Sequence, residues 1–271
     1  MVEFPARRVL EDNMKELGLQ LYSIRSKMET EEDFRVAMKT IADMGYKDLH
    51  TAGMPAFDNK TFIDVIKENG MRVCGTHYNW DKIQNEVQET IDLHRLWETT
   101  NIGIGGYFAG LEYDVVKAFI KKFNEMAKIY AKEGFKLTYH NHAFEFKRIE
   151  GHGKLTMWDM LVEELDPENT SFVLDTCWVQ AGCGDVRHWI EKLAGRIDIL
   201  HLKDCYPVTE PTSKKILTTM TEVGNGGIYW DGVIETARKA GVKTYVVEQD
   251  TCPGDPFDSV KISADYLKKY L

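Results

Sequence analysis

Along the chain, apolar positions recur at spacings of three and four over stretches that stop at a glycine. One to three residues after each stop comes a short run rich in β-branched, apolar or aromatic residues. Gly45 precedes Lys47-Asp-Leu-His, Gly70 precedes Arg72-Val-Cys-Gly, Gly134 precedes Lys136-Leu-Thr-Tyr, Gly195 precedes Ile197-Asp-Ile-Leu, and Gly241 precedes Lys243-Thr-Tyr-Val-Val. A glycine just past a helix adopts the left-handed conformation without a Cβ penalty, so each predicts a helix stop. Between Tyr113 and Glu133, the residues Val116, Phe119, Ile120, Phe123, Met126, Ala127 and Tyr130 form a stripe that predicts an amphipathic helix facing the core. Asp255-Pro256 predicts the start of a final helix, with a capping carboxylate followed by proline at the first helical position.

Filling in the rhythm gives eight predicted strands: Gly18 to Ser23, Lys47 to Ala52, Arg72 to Tyr78, Asn101 to Tyr107, Lys136 to Asn141, Ser171 to Thr176, Ile197 to Lys203, and Thr244 to Gln249. Strands alternating with helices predict a parallel α/β sheet, and eight is the number at which such a sheet closes into a (β/α)8 TIM barrel. The main rival is an open, doubly wound sheet. It would place a glycine-rich phosphate loop after the first strand, where Leu21-Tyr-Ser-Ile-Arg25 stands instead. The 271 residues suit one barrel domain, with residues 1–17 as an N-terminal extension.

Composition narrows the function classes. The chain is 43% hydrophobic and 28% charged, ordinary for a globular protein, and its formal net charge of −9 disfavours a nucleic-acid partner. No apolar run is long enough to cross a bilayer, and the N-terminus lacks the apolar stretch of a signal peptide, so no membrane association is expected. The five cysteines form no C-x-x-C pair, which fits reduced thiols in a cytoplasm.

In a closed barrel the chemistry gathers at the C-terminal ends of the strands, so those ends carry the functional reading. The early strands end in Tyr22 and Arg25, in His50, in His77, Asn79 and Trp80, and in Tyr107. The later ones end in Tyr139-His-Asn-His-Ala-Phe-Glu145, Asp175-Thr-Cys-Trp178, His201-Leu-Lys-Asp204 and Glu248-Gln-Asp250. Isolated buried carboxylates are costly, yet four consecutive strand ends carry them. Glu145, Asp175, His201 and Glu248 are therefore expected to converge on one divalent metal ion, Mn²⁺ first, with Mg²⁺, Co²⁺ or Zn²⁺ as alternatives. By the two-residue period of a strand, His140 and His142 point the same way and Asn141 the other.

Taken in order, Gly18-Leu-Gln-Leu-Tyr-Ser-Ile-Arg25, Tyr139-His-Asn-His-Ala-Phe-Glu-Phe146, Leu174-Asp-Thr-Cys-Trp178, Leu200-His-Leu-Lys-Asp204 and Val247-Glu-Gln-Asp250 resemble the sugar phosphate isomerase/epimerase family of xylose isomerase-like barrels. The resemblance runs from about Gly18 to the C-terminus. It implies a metal bound by the four residues just named, with Glu145 and Glu248 as acid/base groups beside the substrate. The family includes ketose 3-epimerases, sugar isomerases, inosose dehydratases and enzymes of 3-keto glycosides.

Two departures stand out. Ketose 3-epimerases of this kind usually carry histidine where Trp178 stands and glutamate where His50 stands. Apurinic endonucleases share the barrel with three zinc ions and extra histidines, but Tyr107 and Trp178 occupy two of those places and no Asp-x-His follows His201.

The expected chemistry is proton abstraction next to a carbonyl through a metal-stabilised enediolate, giving isomerisation or epimerisation of a sugar-like small molecule. Elimination from an inosose or 3-keto glycoside is the alternative, and a non-catalytic sugar-binding barrel is a third reading. His142 is a further acid/base candidate, and Tyr22, His50, His77, Trp80, Tyr107, Trp178 and Lys203 are candidate substrate contacts. For Lys203 a salt bridge with Glu145 or Asp204 is the competing reading. The long stretch from Cys205 to Tyr229 is expected to form a lid hinged at Gly224-Asn-Gly-Gly227, and a homo-oligomer is compatible with the sequence.

Overall fold

The computed structural model describes residues 16–52 and 57–271; the expected N-terminal extension lies almost wholly outside the described residues. Eight parallel strands close into a barrel: β1 (Leu17–Gln20), β2 (Tyr46–Thr51), β3 (Arg72–His77), β4 (Asn101–Ile104), β5 (Lys136–His140), β6 (Thr170–Asp175), β7 (Ile197–Leu202) and, after a hairpin of β8 (Asp204–Thr209) and β9 (Ile216–Thr221), β10 (Thr244–Val247). All eight predicted strands are found, each ending one to three residues earlier than predicted, with β1, β2 and β6 also beginning one residue earlier. The first gives way at Leu21 to a 3-10 turn, Leu21–Lys27, and the fourth stops before Gly105-Gly106.

Around the barrel run α1 (Glu31–Asp43), α2 (Asn59–Glu68), α3 (Trp80–Asn85), α4 (Val87–Leu96), α5 (Tyr113–Ala131), α6 (Met157–Glu164), α7 (Thr176–Ala181), α8 (Val186–Lys192), α9 (Trp230–Lys239) and α10 (Pro256–Leu267). The five glycine stops all take positive φ, between 65° at Gly70 and 103° at Gly45. In α5 the buried residues are the seven of the predicted stripe. Asp255 caps α10 by accepting the Phe257 N–H at 2.9 Å. Most of the core lies between helices and barrel, while Val173, Ile199 and Val246 form a small apolar layer of their own from alternating positions of β6, β7 and β10. Two residues further along each of those three strands stand Asp175, His201 and Glu248. The side-chain period of two therefore stacks them above the apolar layer, at the C-terminal mouth.

The stretch after β7 departs from the expected hinged lid. Its first half is the antiparallel β8–β9 hairpin. The glycines that follow wrap the buried Asp204 carboxylate, which accepts the N–H groups of Gly224 at 2.9 Å, Gly226 at 3.2 Å and Ile228 at 3.3 Å, and the Trp230 Nε1–H at 2.6 Å. A Cβ on Gly226 would sit 2.2 Å from Asp204 Oδ1, so this glycine is required by the close approach of backbone to carboxylate. The predicted hinge is a clamp.

Candidate functional site

The parallel register sets Asp175 of β6 directly beside His201 of β7, and Val246, two residues before Glu248, opposite His201 on the other side. His201 Nδ1 lies 2.8 Å from Glu248 Oε2 and 3.9 Å from Asp175 Oδ2. From the end of β5, His140 Nε2 lies 3.5 Å from Asp175 Oδ2 and 3.7 Å from Glu248 Oε2. One atom from each of His140, Asp175, His201 and Glu248 thus falls within 4.8 Å of the others, and all four residues are buried.

This set differs from the expected one at one member. Glu145 is fully buried but turned away, with Oε1 accepting the Tyr139 hydroxyl at 2.9 Å and Oε2 accepting the His142 backbone N–H at 2.8 Å. The strand period explains His140 and fails for Glu145. β5 ends at His140, and a 3-10 turn, Phe144–Phe146, carries Glu145 back beneath the loop. Burial pushes its carboxyl up to about 7, against the pull of its hydrogen bonds.

The four converging groups fit a divalent cation. His140 Nε2 and Asp175 Oδ2 are buried without a hydrogen-bond partner, an arrangement that native interiors seldom leave unsatisfied. Two imidazole nitrogens and two carboxylates form a mixed donor set suited to Mn²⁺, Co²⁺ or Zn²⁺. Lys203, fully buried, places Nζ 2.9 Å from Asp250 Oδ2, 3.4 Å from Glu248 Oε2 and 3.6 Å from Asp175 Oδ2. Its partners are these three carboxylates, in place of the expected Glu145 or Asp204. Three carboxylates around one ammonium leave an excess of two negative charges when all are ionised, which a divalent cation would balance. Burial drives Asp175 well above the usual carboxylate range, partly offset by Lys203. For Glu248 the same penalty is outweighed by Lys203 and His201, which hold it low.

Above the cluster opens a cavity of about 320 Å³. Tyr22, His77, His142, Trp178, Lys203 and Asp250 line it, with His140 and Glu248 at its inner side. Burial lowers His77 to about 3 and His142 to about 4, so both face the cavity as neutral imidazoles. Trp178 gives the Lys203 ammonium a ring face, 4.8 Å from Nζ to the centroid.

Three expected contacts lie elsewhere. Trp80 stacks on Phe123 at 5.5 Å, and Tyr107 stacks on Phe119 at 4.0 Å, so both rings pack against α5. His50 is buried between Gln20 and His201, apart from the cavity lining. Asp250 joins the site through the fold alone: it closes the polar strand end Glu248-Gln-Asp250, but nothing in its local sequence pairs it with Lys203.

Residues 39–270 match the family model described as xylose isomerase-like TIM barrel. Among curated proteins, the inosose dehydratase of Geobacillus thermodenitrificans is 27% identical over 78% of this chain and 68% of its own length. That of Lactiplantibacillus plantarum is 27% identical over 61% of this chain and 56% of its own. A sugar phosphate isomerase/epimerase from Parabacteroides distasonis superposes with a TM-score of 0.79 at 21% identity, covering 98% of both chains. A D-allulose 3-epimerase from Methylomonas sp. gives 0.70 at 12% identity over 96% of this chain and 99% of that one. At these identities the structural likeness concerns the fold. With its family model matched over most of its length, the chain belongs to the xylose isomerase-like TIM barrel family.

Proposed function

We propose that this chain is a divalent-metal-dependent isomerase or epimerase that moves a proton next to the carbonyl of a sugar-like substrate. The observation that carries the reading is the convergence of His140, Asp175, His201 and Glu248, two of them with orphaned donor atoms, beneath a cavity that His140 and Glu248 reach. Manganese is the first choice, with cobalt or zinc next. When bound, the cation would polarise a substrate carbonyl and stabilise the charge that develops as the neighbouring C–H proton leaves.

The chain's own residues supply the rest. Glu248, held low by Lys203 and His201, is the carboxylate that accepts a proton at the cavity floor. His142, neutral and facing the same cavity, is the second proton-transfer group, and its backbone is fixed by the Glu145 carboxylate. Glu145 is thereby a positioning residue. Trp178 and Tyr22 give apolar faces to a substrate ring, and His77 offers a polar contact. Five unpaired cysteines fit a reducing cytoplasm.

A second reading, dehydration of an inosose, is favoured by the naming of the curated relatives. Manganese-loaded protein incubated in heavy water with ketoses, inososes and 3-keto glycosides separates the two by proton NMR. Exchange of a C–H proton without loss of hydroxyl supports isomerisation or epimerisation, and loss of hydroxyl with a new enone supports dehydration. Absence of both across the whole panel would reject the proposal.

A further inference from the structure

We propose that Gln20 and His50 act as positioning residues that decide which nitrogen of His201 is free to bind a cation, an inference that rests on the metal-dependent reading above. Gln20 and His50 are register partners on β1 and β2. The Gln20 carbonyl Oε1 accepts the Tyr22 N–H at 3.4 Å as the cap of the 3-10 turn, which turns the amide nitrogen inward. That nitrogen, Nε2, lies 2.8 Å from His50 Nδ1. A primary amide nitrogen only donates, so His50 Nδ1 must be the bare, accepting nitrogen of its ring.

The same His50 Nδ1 lies 2.9 Å from His201 Nε2. Two bare nitrogens at that separation would turn lone pair against lone pair, so His201 Nε2 carries the hydrogen. With Nε2–H turned to His50, Nδ1 is the nitrogen that His201 has left for a cation. It faces Glu248 Oε2 at 2.8 Å, within hydrogen-bond distance, and Asp175 Oδ2 at 3.9 Å. A hydrogen shared between His201 Nδ1 and Glu248 is what a cation would replace on binding there.

Two features keep the relay in this sense. His50 is buried and takes the Gln20 amide hydrogen on Nδ1, so the ring's own hydrogen sits on Nε2. Gly75 makes space for the ring: a Cβ there would stand 2.7 Å from Ile199 Cδ1 and 3.1 Å from His50 Cδ2. Ligating histidines are ordinarily oriented through the ring nitrogen that does not bind metal, and here a glutamine acts through a second histidine. Were the amide reversed, the hydrogens would shift in turn, and the last hydrogen of His201 would sit on the nitrogen where the cation binds.

The residues also admit a rival arrangement. Nitrogens of His50, His77 and His201 lie within 4.8 Å of one another and would suit a second cation. An amide N–H aimed at His50 Nδ1 opposes it.

Zinc(II) and protein labelled with ¹⁵N-histidine test the relay at about pH 8, where a Glu at position 20 is ionised and accepts. Long-range proton–nitrogen spectra of the metal-free protein are expected to show His50 as the Nε2–H form. With zinc they are expected to show His201 bound through Nδ1 with Nε2–H retained, and one zinc per chain. Gln20→Glu is expected to move the His50 hydrogen to Nδ1 and weaken zinc roughly 10–100-fold, the range for losing an orienting partner. Simple attraction by the added charge would tighten zinc instead. Gln20→Met, which removes the donor without reversing it, is expected to weaken zinc less.

Nδ1–H on His50 in the wild type, zinc on His201 Nε2, undiminished zinc affinity in Gln20→Glu, or two zinc ions with His50 as a ligand would each overturn the relay. Failure of zinc to bind at all would sink the metal-dependent reading, while the His50 spectrum would still score the relay.

Discussion

His201 Nδ1 and Glu248 Oε2 stand 2.8 Å apart at the ends of the neighbouring strands β7 and β10, with Asp175 Oδ2 and His140 Nε2 closing the group. Glu248 is shared between this cluster and the cavity, so it is the residue whose loss reaches both binding and chemistry. Glu248→Gln is expected to lower manganese affinity by about 10-fold or more and to abolish substrate proton exchange. Metal titration and deuterium incorporation measure the two effects, and full exchange with manganese bound would remove Glu248 from the proton-transfer role.

Lys203 is the one buried ammonium among Asp175, Glu248 and Asp250. Lys203→Met leaves those carboxylates uncompensated, so metal-free protein is expected to lose about 3–5 kcal/mol, the range for breaking a buried ion pair from one side. Manganese should then recover more stability in the variant than in the wild type. Thermal unfolding with and without metal reads both quantities, and an equal metal-induced shift would contradict the charge balance.

Glu145 gives a pH signature. Its folded carboxyl titrates at about 7 against an ordinary 4.5, so the folded state holds the proton more tightly. The associated stability is full below about 4.5 and is lost as pH rises through 7, by up to about 3 kcal/mol. The buried neutral histidines push the other way over the same interval, so the Glu145 contribution is read as a difference: in urea unfolding of metal-free protein at about pH 5 and pH 8, Glu145→Gln is expected to gain stability relative to the wild type as pH rises. Manganese affinity should change by less than about 3-fold in the variant, small beside the loss expected for a ligand or its orienting partner.

Asp204 gathers three backbone N–H groups and the Trp230 indole N–H, besides the N–H of Cys205. Asp204→Ala leaves these donors buried without an acceptor and is expected to cost about 3 kcal/mol or more. Hydrogen exchange should accelerate first across residues 222–230. Gly226→Ala is expected to have the same regional effect, because its Cβ would strike the carboxylate that the loop encloses.

The order of elements, the closure of the barrel and the inward direction of Asp175, His201 and Glu248 follow from local rules that sequence carries. Glycine stops end the helices, the helical stripe sets the outer face, and the strand period of two stacks polar residues above Val173, Ile199 and Val246. The same period carries His140 inward beside them. Beyond a strand end that period no longer holds, and this is where tertiary structure decides. The turn at Phe144–Phe146 removes Glu145 from the cluster, and Trp80 and Tyr107 find aromatic partners on α5 in place of the cavity. Lys203 meets Asp250 across the barrel mouth, and Gln20 reaches His50 because register places them side by side. These pairings join residues 30 or more positions apart, so no spacing along the chain records them. They exist only once eight strands have closed with a particular register.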